Sequence, residues 1–167
     1  MEVAALVFSV LALAVSVLMT RRQLTLARHN NSLPVLIDLF REHRSDRLAD
    51  ARRFVHSGLD KCDLSQGFAG LPEEEREMVR DLAWYYDNLG ALVLHEVVDV
   101  EIVAGYLGGS VVAVWEKISP LIEAERLKRA DDPDPRRWQE YFENLRFLVQ
   151  EVPPSKARGS RALWRLG

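Results

Sequence analysis

Residues 72–94 read PEEEREMVRDLAWYYDNLGALVL. Pro72 suits a helix start, where a missing N–H leaves nothing unpaired that the helix would otherwise pair. Glu73, Glu74 and Glu75 then fall in the first turn, where carboxylates meet the positive end of the helix dipole. Val79, Leu82, Tyr86, Leu89 and Val93 recur at intervals of three and four, which places them on one helical face. The stretch therefore predicts an amphipathic helix closing near His95, whose imidazole sits at the negative dipole end. Two features interrupt it. Asp87-Asn88 is a polar pair in mid-helix, read either as a solvated pair or as Asp87 bridging to Arg126 on a neighbouring helix and fixing register. Gly90 costs about 1 kcal/mol relative to Ala, a cost that points to a close helix–helix approach.

Working outward, the same period continues in both directions. Downstream, Asp99 caps a short helix to about Leu107, and Gly108-Gly109 end it. Ser110 caps the next, with Val111, Val114, Trp115, Ile118, Leu121 and Ile122 on one side, and Pro120 must kink that helix or restart it from Ser119. After residues 131–135 (DDPDP) a last helix turns Trp138, Tyr141, Phe142, Leu145, Leu148 and Val149 inward. Upstream, residues 59–71 show no period and contain Gly67 and Gly70, which reads as a loop. Before it, Ser45 caps a segment with Leu48, Ala51, Phe54 and Val55 inward, stopped by Ser57-Gly58. Another helix starts around Ser32-Leu33-Pro34 and aligns Leu36, Leu39, Phe40 and His43. Nothing between 20 and 150 alternates with a period of two for long enough to make a strand.

Val3 to Met19 is a seventeen-residue run without a charge, interrupted only by Ser9 and Ser16. As a helix it is about 26 Å long, near the roughly 30 Å of a bilayer core. A cleaved signal peptide would need a basic start, a shorter apolar stretch and a small-residue site after it. Here Met1-Glu2 precedes the run and Thr20-Arg21-Arg22-Gln23 follows. The fold class expected is all-α, a single N-terminal transmembrane helix followed by a bundle of about five or six helices. The domains are an anchor at 1–20, a juxtamembrane helix or linker at 21–31, a helical domain at 32–151 and a basic tail at 152–167. Arg21, Arg22 and Arg28 flank the C-terminal end of the span and determine topology, with the N-terminus outside and the domain in the cytoplasm at the inner membrane. Cys62 is the only cysteine, so no intramolecular disulfide forms.

The formal charge of −3 hides an asymmetry. Residues 59–151 carry ten Lys and Arg against twenty Asp and Glu, whereas residues 152–167 carry Lys156, Arg158, Arg161 and Arg165 with no acid. An acidic body between basic ends suits a domain held at an anionic leaflet and repels nucleic acid. The tail also carries Leu163, Trp164 and Leu166, which reads as a solvated tail or as one that dips into a membrane interface.

No catalytic, cofactor-binding or metal-binding signature is present. Residues 105–110 (GYLGGS) fit neither a dinucleotide fingerprint nor a P-loop, since no strand precedes them and no Lys follows. His29, His43, His56 and His95 are scattered, without ligand spacing. Cys62 has Lys61 beside it but Asp60 and Asp63 around it, which opposes an activated thiolate. A ligand site would have to be dispersed, with Trp84, Tyr85, Asp87, His95 and Arg126 as its candidates.

These residues also carry a resemblance. Residues 31–41 (NSLPVLIDLFR), 51–55 (ARRFV) and 88–93 (NLGALV), then Gly108, Trp115, Ile118, Pro120 and Arg126, then 141–145 (YFENL), resemble a family of small bacterial proteins catalogued as domain of unknown function 4760. The similarity covers roughly residues 3–150. It implies an N-terminal membrane helix followed by a helical cytoplasmic domain, and it supplies no catalytic residues. Where related sequences have a Gly-like turn after the central helix, this chain has His95-Glu96-Val97. The function expected is a membrane-tethered helical interaction or scaffolding protein, touching the bilayer through residues 3–20 and binding a protein partner or a second copy. The alternative is a small-ligand binder or enzyme with a dispersed polar site.

Overall fold

The computed structural model describes residues 12–13, 15–20 and 33–153. The chain divides into two compact units, residues 1–38 and 39–167. In the first, the described residues are helical throughout, and every one between 12 and 20 is solvent-exposed. Residues 1–11, 14 and 21–32, with Arg21, Arg22 and Arg28 among them, and the tail beyond Pro153 lie outside the described residues.

The second unit is all-helical among its described residues. After a helical turn at 39–43 come α1 (Asp46–Ser57), α2 (Glu73–Leu94), α3 (Val100–Lys128) and α4 (Glu140–Glu151). Ser45 caps α1 as its sequence position indicates, its hydroxyl accepting from the Leu48 amide at 3.4 Å. Leu48, Ala51 and Val55 are buried beneath α1, while Phe54 is half-buried. Val79, Leu82, Tyr86, Leu89 and Val93 of α2 are all buried, as their spacing requires. The core is closed by α4, which packs against both α2 and α3 and brings in Phe142, Leu145 and Val149. Tyr141 and Leu148 are only half-buried, and Trp138 precedes the helix.

Two expectations are corrected. The first concerns Gly108-Gly109 and Pro120, which neither end nor restart a helix: α3 runs unbroken for 29 residues. Val103, Leu107, Val111, Val114, Ile118 and Leu121 form one continuous buried face across all three residues. Burial at about 1.5–3 kcal/mol per large side chain outweighs the roughly 1 kcal/mol that each glycine costs. The second concerns residues 59–71, which are not a loose loop. They form two 3-10 segments, Leu59–Lys61 and Leu64–Gly70, with Leu59, Phe68 and Leu71 buried. Glu125 of α3 accepts from the Phe68 amide at 2.9 Å. Arg76 of α2 donates to the carbonyls of Phe68 and Leu71 at 3.0 and 3.1 Å. Gly67 adopts φ 53°, and a side chain there would strike Glu125.

The α2–α3 connection turns at Glu96, which takes a left-handed φ of 58° that glycine would adopt at less cost.

Candidate functional site

The interior of the helical unit holds two polar centres. The first is built on α2 and the start of α4. Asp87, 6% exposed, accepts a hydrogen bond from the Phe142 amide at 3.0 Å. The first amides of a helix have no intrahelical partner, so a carboxylate from a neighbouring helix satisfies what α4 cannot satisfy itself. Three residues on, Gly90 faces the same turn. A Cβ there would stand 2.6 Å from the Tyr141 carbonyl carbon, so the two backbones touch with no side chain between them. This is the close approach that the glycine implied.

Arg126, 7% exposed, approaches the same segment from α3. Its Nε donates to the Trp138 carbonyl at 3.0 Å, and its Nη1 pairs with Glu123 at 2.7 Å and Glu143 at 2.8 Å. Asp87 and Arg126 thus hold one helix start from two sides, each through α4 and its lead-in, rather than as a direct ion pair. Burial pushes the Asp87 carboxyl above the usual carboxylate range, opposed by the Phe142 and Tyr141 amides and by the charge of Arg126. Between them, Gln139 begins α4 at φ 60° and is 1% exposed. Among the described residues its side-chain oxygen and nitrogen have no hydrogen-bond partner.

The second centre was not visible in the sequence. Tyr86 of α2 places its hydroxyl 2.7 Å from Ser110 Oγ on α3 and 3.3 Å from His43 Nε2. Tyr85 next to it donates to the Leu39 carbonyl at 2.9 Å. The ring of Tyr86 stacks on Phe142 with centroids 4.8 Å apart, and Phe142 meets Trp115 edge-on at 5.1 Å. Burial first, then the positive charges of Arg52 and Arg44, lower the His43 pKa to about 4. His43 is therefore neutral near pH 7 and serves as a hydrogen-bonding ring rather than a cation. Burial also pushes both tyrosine hydroxyls up, so they remain protonated donors. A neutral imidazole and the hydroxyls of Tyr86 and Ser110 make a relay that ties three helical segments together, with Tyr85 beside it bonded to backbone. Among the described residues no carboxylate or thiol is hydrogen-bonded into it.

The five residues proposed as a dispersed ligand set do not converge. Asp87 and Arg126 are buried in the first centre and Tyr85 in the second. Trp84 is 44% exposed on α2, and His95 caps the C-terminus of that helix with its ring 6.0 Å from Tyr141. Among the described residues no group of His, Cys, Asp or Glu is placed to hold a metal ion. One open cleft of about 290 Å³ lies elsewhere, between α3 and α4, lined by Trp115, Glu116, Ser119, Arg146 and Gln150. Cys62 is half-buried, its sulfur 3.8 Å from the Gly58 carbonyl.

No curated protein and no solved structure matches the chain. One family model does, over residues 2–150, a span that takes in both polar centres and the described helices of the second unit up to the last residue of α4. The chain belongs to the family described as domain of unknown function (DUF4760).

Proposed function

We propose that this protein is a membrane-tethered helical interaction module. Residues 3–20 sit in the inner membrane with the N-terminus outside, and the helical unit works in the cytoplasm on a protein partner or a second copy of the chain. The observation that carries this reading is the exposure of the described N-terminal helix. Leu13, Val15, Val17, Leu18 and Met19 are 49–66% exposed. At about 100° per residue they occupy all but about a third of the helix circumference, that third goes to Ser16 and Thr20, and no face of the described residues carries a charge. Thr20 returns its hydroxyl to the Ser16 carbonyl at 2.9 Å, which pairs this polar group within the helix itself. No helix of the described residues is by itself long and apolar enough to cross a membrane. The residues that complete the run of seventeen lie outside them.

Within the helical unit Asp87, Tyr85, Tyr86 and Arg126 are engaged with the fold's own backbone, hydroxyls and carboxylates, with Gln139 the exception, and this favours a binding surface over a turnover site. The acidic body is unsuited to nucleic acid.

Alkaline carbonate extraction of cell membranes tests the tether. The full chain is expected to stay in the pellet, and a variant carrying Asp at Leu13, Val17 and Leu18 to move to the supernatant. Release of the unmodified chain by carbonate would sink the reading.

A further inference from the structure

We propose that the basic C-terminal tail, residues 154–167, docks on the outward face of α3 formed by Ile102, Gly105, Tyr106 and Gly109. These four residues follow a spacing of i, i+3, i+4 and i+7 and so share one face. All four are exposed, Tyr106 by 73%. A Cβ added at Gly105 or Gly109 would meet nothing within 4 Å, so two gaps open onto bare helix backbone beside the tyrosine ring. Phe40 flanks the face, its ring 5.0 Å from that of Tyr106. The face is thus apolar and notched, with aromatic walls on one side.

Charge selects the occupant. From His95 to Glu116 the chain has no Lys or Arg, while Glu96, Asp99 and Glu101 stand at the N-terminal end of the face. The tail is the inverse: Lys156, Arg158, Arg161 and Arg165 without an acid, interleaved with Leu163, Trp164 and Leu166. A second copy of the acidic body would bring like charges together, whereas the tail brings opposite ones. The exit point of the chain selects the same occupant. Val149, near the end of α4, lies against Gly108: a Cβ added to the glycine would stand 3.8 Å from the Val149 Cβ. Four residues later the described chain ends at Pro153. At about 3.3 Å per extended residue the fourteen residues of the tail reach about 46 Å, several times the roughly 10–12 Å diameter of a helix with its side chains. A short connection also gives the tail an effective concentration in the millimolar range, so even a modest contact would be occupied.

Cysteine pairs in the full chain, purified in neutral detergent with Cys62→Ser, test the proposal. Gly105→Cys with Leu166→Cys is the reporting pair, with Gly109→Cys as its replacement should Gly105→Cys unfold the protein. Arg136→Cys with Leu166→Cys, on an exposed residue outside the face, is the reference pair. The reporting pair is expected to form an intrachain disulfide at least about ten-fold faster than the reference, in line with a local effective concentration. Reversing Arg158, Arg161 and Arg165 to Glu, or high salt, is expected to bring it down to the reference rate. Equal rates for the two pairs would overturn the proposal. Disulfide-linked dimers in place of the intrachain bond would overturn it too and assign the face to a second copy.

Discussion

Gly90 shows how one absent methyl group sets a helix interface. Alanine is normally preferred to glycine inside a helix by about 1 kcal/mol. Here the new Cβ would meet the Tyr141 backbone, and backbone cannot swing aside as the end of a side chain does. Overpacking of this kind costs typically about 1–3 kcal/mol, which outweighs the gain in propensity. Gly90→Ala is therefore expected to lower the denaturation midpoint of the full chain. A rise in the midpoint would mean that α2 and α4 can separate freely at this point. Gly105 and Gly109 are the contrast, since their missing methyls face open space. The sequence reads Gly90 as a close approach, which the structure shows, and Gly109 as part of a helix stop, which it is not.

At the scale of the element, α4 is a short helix whose start is held by residues far away in the chain. Asp87 is 55 positions from Phe142, whose amide it accepts. Replacing a side chain that satisfies a buried donor costs about 1–3 kcal/mol, because the donor remains buried. Asp87→Ala is expected to fall in that range by chemical denaturation. A change inside about 0.5 kcal/mol would place Asp87 among ordinary surface positions. The elements themselves were largely legible. The periods of α1, α2 and α4 named most of their buried residues because each helix packs by one face. The continuity of α3 was not legible, because Gly108-Gly109 and Pro120 are strong local stop signals that only tertiary burial overrides. Residues 59–71 escaped for another reason. A 3-10 segment has no 3.6-residue period, and what orders this one is Glu125 and Arg76, both distant in sequence. The His43–Tyr86–Ser110 relay was equally hidden, since its members lie on three segments and none is unusual alone.

For the whole molecule, the two polar centres tie stability to pH with opposite signs. The folded His43 titrates near 4 and the unfolded one near 6.5. Between those values the unfolded chain binds a proton that the folded chain refuses. Stability contributed by His43 is therefore full above pH 6.5 and is lost as pH falls toward 4, by up to roughly 1.4 kcal/mol per pH unit. Asp87 runs the other way: its carboxyl is raised, so its contribution is fullest in acid and declines as pH rises through the folded pKa. His43→Gln, which does not titrate, is expected to flatten the loss of stability between pH 6.5 and 4 in denaturation curves of the full chain. Parallel curves for parent and variant would assign the acid sensitivity to other groups.

The position of α4 also has a consequence for synthesis. It is the last described helix to leave the ribosome, yet it covers Tyr86 and Trp115 and supplies Phe142, Leu145 and Val149 to the core. A nascent chain therefore carries an open apolar trough along α2 and α3 until α4 has emerged. Premature termination anywhere before Glu140 would leave that trough permanently bare, and such a fragment would present itself to chaperones and proteases as unfinished.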